Sequence, residues 1–171
     1  MLLKENNVKA LHSFELPSIK EASDETIFNP TNFLEIYNRA VDIKSNAQRQ
    51  WGKMNLVQML NHLKIATGSG INIYKLKREG SWLWRTIIKF IVIWILRRLP
   101  KNAKAAEGFK IEMNRPLDFN TEKVELLNVL KKAYASTSDF YPHPMFGKMS
   151  REEWGRLVYR HFDHHFRQFS S

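Results

Sequence analysis

Apolar positions recur at three-four spacing over four stretches of this chain, the period of amphipathic helices, and there is little strand-like alternation. Phe33, Ile36, Tyr37, Ala40 and Val41 share one side of a stretch that Pro30 and Thr31 open, which predicts a helix running to about Lys44. Leu56, Met59, Leu60 and Leu63 mark a second helix, with Asn55 placed to cap it and Gly68 or Gly70 to end it. Val124, Leu127, Leu130, Lys131 and Tyr134 mark a third, with Asn120 as its cap and Glu122 near the positive end of its dipole. Pro142 and Pro144 hold the next stretch out of helix. The fourth helix starts at Ser150-Arg-Glu-Glu153, the spacing of a capping box, and carries Trp154, Val158, His161, His165 and Gln168 along one seam. The expectation is an all-α chain: an irregular segment over 1–28, then a single helical domain over 29–171. A long crossover joins its second and third helices.

That crossover holds the most hydrophobic stretch of the chain, Trp82 to Leu96. A spanning helix needs roughly 20 apolar residues. Here Arg85 and Lys89 interrupt the run and Arg97-Arg98 close it, so it does not span a bilayer. The first expectation is a helix packed on the body of the protein, with Arg85 and Lys89 in water and Trp84, Ile87, Ile88, Ile91 and Ile95 against apolar surface. A homodimer contact through the same face ranks second, and contact of 82–96 with a membrane surface third.

The chain's 171 residues, 43% of them apolar, suffice for one domain with a real core. There is no cysteine, which excludes disulfides, thiolate metal sites and a cysteine nucleophile. Lys and Arg exceed Asp and Glu by 27 to 17, for a formal charge of +10. The basic residues are spread along the chain and no nucleic-acid-binding module accompanies them, so no nucleic-acid partner is expected. The first residues lack the pattern of a secretory signal, which makes a cytoplasmic location the expectation.

Three of the six histidines fall in the last helix. His161 and His165 are four apart and lie one above the other on one face, a spacing that suits joint ligation of a metal ion. A pair needs a third donor, and His62 on the second helix is the candidate. Burying these imidazoles on a helix seam costs free energy unless their nitrogens find partners, and a shared ion would satisfy one nitrogen of each. His164 cannot face the same seam as its neighbour His165 and is assigned to the helix flank. Gln58, one turn before His62, and Gln168, just after His165, are candidates to orient an imidazole. His143, in the proline-bound turn, is a candidate acid or base, or else a turn residue packed on Trp154 or Tyr141. Asp163 faces away from His161, and Trp51 and Trp154 read as core residues.

Two blocks carry a resemblance: Trp51-Gly-Lys-Met-Asn-Leu-Val-Gln-Met-Leu-Asn-His62-Leu, and His143-Pro-Met-Phe-Gly147 through Trp154-Gly, His161, His164-His165 and Gln168-Phe169. The chain resembles the DinB/YfiT-like metalloenzyme superfamily over most of Phe28 to Phe169. Within it, the chain is most similar to a bacterial subfamily of unknown function with a His-Pro-x-Phe-Gly turn and a His-x-x-His-His-x-x-Gln-Phe helix. The resemblance implies a four-helix bundle with a long connection between its second and third helices. It also implies a divalent nickel or zinc ion on three histidines, which map onto His62, His161 and His165. Some members are S-transferases that use low-molecular-weight thiols, and others are isomerases of thiol conjugates. The functional expectation is a metal-dependent enzyme acting on a small-molecule substrate, as a thiol S-transferase or a hydrolase. The alternative is a non-catalytic binding or stress-response protein on the same bundle, with a structural, vestigial or absent metal.

Overall fold

Short polar side chains start every α-helix of this protein, and each does so through backbone amides that the first turn leaves unpaired. The computed structural model describes residues 25–102 and 116–169. Asn29 accepts hydrogen bonds from the amides of Thr31 and Asn32 to open α1, Pro30–Asp42. Asn55 and Gln58 form a reciprocal capping box on α2, Leu56–Gly70. Asp118 accepts from the Thr121 amide to start α3, Phe119–Ala135. Asn120, the expected cap, lies inside the first turn instead: Asp118 precedes it and already has the extended backbone a cap requires. Ser150 and Glu153 close the capping box of α4, Arg151–Gln168, as its spacing predicts.

The architecture is all-α among the described residues, with four α-helices and one further helical segment over 82–95. α2 packs most extensively on α3 and also touches α4, while α1 lies against both α3 and α4. Ile36, Leu60, Leu63, Leu130, Phe162 and Phe166, all fully buried, belong to one continuous core. Of the expected irregular segment over 1–28, residues 1–24 lie outside the described residues. Ile27 is buried and donates its amide to the carbonyl of Gly155. Gly155 permits that approach, because a Cβ there would stand 2.0 Å from Thr26 Oγ1.

α2 is buried nearly all round: thirteen of its fifteen residues are buried, Lys64 among them. Lys64 Nζ reaches Glu122 Oε2 at 2.5 Å and Glu125 Oε2 at 2.6 Å, and Asn61 donates to Glu122 at 2.9 Å. Burial alone would lower the Lys64 pKa, but the hydrogen bonds to Glu122 and Glu125 outweigh it and raise the pKa. This polar knot fastens α2 to α3 inside the core.

The hydrophobic segment of the crossover is helical, with π-helical stretches Trp84–Ile88 and Ile91–Ile95. One edge packs on the body, with Ile93 fully buried and Ile88, Val92 and Leu96 half-buried. The face expected to pack is turned to solvent instead, and Trp84, Ile87, Ile91 and Ile95 are exposed. Two tethers to α4 set this rotation. Lys89, expected in water, pairs with Glu153 at 3.0 Å, and the Arg160 guanidinium donates to the carbonyls of Val92 and Ile93 at 3.0 and 2.8 Å. Among the described residues, no helix is long and apolar enough to cross a membrane.

His143 holds the turn before α4. Its backbone pairs with Gly147 in both directions, and its Nδ1 accepts from the amides of Met145 and Phe146, each at 3.2 Å. Its ring stacks on Phe146 and meets the edge of Trp154. Burial pushes its pKa down to about 3.

Two predictions test these contacts. Replacing Lys64 by Met strands the Glu122 carboxylate in the core and is expected to cost about 3–5 kcal/mol in chemical denaturation. The double variant Lys64→Met, Glu122→Leu is expected to recover most of that loss. Because the His143 pKa is depressed in the folded state, its contribution is complete above the unfolded value of about 6.5 and is lost as pH falls toward 3. Its share of the slope is about 1.4 kcal/mol per pH unit. His143→Gln is expected to flatten the unfolding free energy between pH 6 and 4 by about that amount.

Candidate metal centre

The inward seam of α4 and the buried face of α2 bring three imidazoles together. His161 and His165, one helical turn apart on α4, meet His62 from α2. His62 Nε2 lies 2.9 Å from His161 Nε2, and His165 Nε2 lies 3.1 Å from the same atom. One ring nitrogen from each of the three falls within 4.8 Å of the others. His62 and His165 are 3% and 6% exposed, so water does little to separate the rings.

Burial drives all three towards the neutral form. It is the first cause of the low His62 pKa, about 4, with a smaller effect from His164. His161 and His165 are also held well below the ordinary histidine value, first by burial and then by neighbouring imidazoles. Neutral imidazole is the ligating form. Two nitrogens bound at ~2.0–2.1 Å to one ion stand roughly 2.9–3.4 Å apart for right-angle to tetrahedral bonding. The two close Nε2 separations fall in that range, so the donor set fits a divalent transition ion bound by nitrogen.

Gln168 sets the tautomer of His165. Its Nε2 donates to the Trp51 carbonyl at 2.7 Å, which turns its Oε1 towards His165 Nδ1 at 2.8 Å. An Nδ1–H donating to that oxygen leaves the Nε2 lone pair free to ligate. Gly52 makes room: its φ is +80°, and a Cβ there would stand 2.5 Å from Gln168 Nε2. The part played by Gly52 and by the Trp51 carbonyl left no mark in the helical pattern, because both precede the α2 cap.

The other candidates have different duties. Gln58, proposed to orient His62, spends its amide on the α2 cap, where it accepts from the Asn55 backbone. His164 is on the α4 flank, but buried. Its Nδ1 lies 3.2 Å from the Leu99 carbonyl and its ring meets those of Trp51 and His165 edge-on. His143 serves the turn described above. Asp163 pairs with Arg39 and Arg167 rather than with a histidine. Trp154 is a core residue, whereas Trp51 is half-buried under the Lys101 ammonium.

Comparison with curated proteins and with solved structures finds no match. Comparison with protein families finds one over residues 24–171, a span that contains α1 to α4 and all three histidines. The chain therefore belongs to the family described as protein of unknown function DUF1569.

Proposed function

We propose that this protein is a metal-dependent enzyme in which His62, His161 and His165 hold one divalent transition ion, nickel or zinc by the chemistry of the donor set and the DinB-like resemblance. The observation that carries the reading is that His62 Nε2 and His165 Nε2 both stand at ion-bridging distance from His161 Nε2, with one ring nitrogen of each histidine within 4.8 Å of the others. Hydrogen bonds alone serve such a group poorly, since two rings must share one lone pair of the third. The order of ligands along the chain, one from α2 and two from α4, supports a DinB-like four-helix bundle with a long crossover.

When bound, such an ion supplies Lewis acidity and lowers the pKa of a coordinated thiol or water. Three protein donors leave coordination positions for such a group, as in catalytic rather than structural sites. The residues of the chain do the positioning. Gln168 holds the His165 ring in its ligating tautomer, and the apolar core around His62 keeps the imidazoles neutral. The reactions that suit this arrangement are S-transfer from a low-molecular-weight thiol to an electrophile, and hydrolysis. The near-complete burial of His62 and His165 favours a second reading, an ion that staples α2 to α4 without turnover.

Metal analysis of untagged protein is expected to find about one ion per chain. His161→Ala is expected to abolish binding, and Gln168→Ala to weaken it by about 10–100-fold while leaving the ligands intact. Wild-type protein that carries no stoichiometric metal and takes up neither nickel nor zinc would sink the proposal. Thiol-transfer assays across several low-molecular-weight thiols then separate the two readings. Bound metal with no turnover, together with a large loss of thermal stability on chelation, identifies the staple.

A further inference from the structure

The helix over 82–95 presents to solvent a face that an ordinary globular surface does not carry. Trp82 is 72% exposed, Ile95 61%, Phe90 56% and Ile87 48%, with Leu83 and Trp94 beside them. Exposed apolar residues scattered singly are normal, but a run of them along one helix marks a contact surface. The opposite edge is fixed to α4 by Arg160 and Lys89, so these side chains remain outside while the helix stays docked.

The charge around this face indicates what covers it. Between Lys75 and Lys101 the sequence has eight basic residues and one acid, Glu79. Arg97 and Arg98, both exposed, close the C-terminal end of the helix. At the other end Arg78 and Arg85 converge on the Gly147 turn, with side-chain atoms 3.8 and 3.4 Å from where a Cβ of Gly147 would stand. A second copy of this chain would bring the same positive rim against itself, whereas an anionic surface would complement it. Tryptophans beside arginines at the edge of an apolar helix face suit the headgroup level of a bilayer.

We propose that the helix over 82–95 docks this protein on anionic phospholipid surfaces, its exposed Trp, Phe and Ile side chains entering the headgroup region and Arg78, Arg85, Arg97 and Arg98 meeting lipid phosphates. The docking is peripheral, and it is independent of whether the histidines hold metal. Arg160 and His164, which flank the histidine positions on α4, hold the carbonyls of Val92, Ile93 and Leu99, so the lipid-facing segment and the candidate metal centre share one support.

The test is co-sedimentation of the full chain with vesicles of phosphatidylcholine alone or mixed with phosphatidylserine, alongside tryptophan emission. Binding to the mixed vesicles is expected, with a blue-shifted emission and a partition about tenfold stronger than on phosphatidylcholine. Phe90→Ser with Ile95→Ser is expected to weaken binding by about tenfold or more at unchanged melting temperature, because both side chains are exposed. Arg97→Gln with Arg98→Gln is expected to remove the preference for phosphatidylserine and leave the helix intact. Absence of partitioning onto mixed vesicles overturns the proposal. So does a concentration-dependent dimer that Phe90→Ser with Ile95→Ser dissolves in protein that binds no vesicles, since the face then belongs to a second copy.

Discussion

α2 has almost no exposed surface, yet it carries Asn61, His62 and Lys64 within about one turn, and the polar groups buried there need partners inside the protein. Lys64 makes that a demand on α3, met by Glu122 and Glu125. His62 makes it a demand on α4, met by His161. Two positions along a helix correspond to a rotation of roughly 200°, so His62 and Lys64 point to opposite sides of α2. α3 and α4 are thereby assigned to those two sides, and α1 fills the remaining space between them.

The same burial that makes the arrangement costly gives it its chemistry. Water around the imidazoles would stabilise the charged forms and spread the rings apart. Its exclusion keeps them neutral, with their Nε2 atoms turned on one another. Gln168 extends this order out of the helix bundle: its amide links His165 to the backbone at Trp51, beside a glycine whose missing Cβ admits it. The flank of α4 does a second job, because Arg160 and His164 hold the crossover by its carbonyls and so decide which face of the hydrophobic helix is left outside.

The parts of the fold legible in the sequence are those settled within a turn or two of chain. The cap at Asn55 and the capping box at Ser150 rest on local hydrogen bonds and are legible from spacing, although the return bond from Gln58 that completes a box at Asn55 is not. So was the α4 seam, because residues four apart on a helix must share a face. Where two local solutions compete, the pattern decides less well. Asp118 and Asn120 are both good caps, and the one placed first in the chain takes the position. Gln58 and Gln168 each sit about a turn from a histidine, but the Asn55 cap claims the first, while the Trp51 carbonyl holds the second so that its oxygen meets His165.

By itself the sequence determined that the chain is helical, that His161 and His165 share one helix face and that His62 lies on a second helix, since these follow from helical period. Tertiary structure decided the rest. Lys64 reads as one more charged residue until Glu122, 58 positions away, takes its ammonium into the core. The hydrophobic segment reads as a packing face until Glu153 and Arg160 rotate that face outward. Local backbone periodicity is written in neighbouring residues, whereas the partner of a buried charge and the orientation of a docked helix depend on groups that only folding brings together.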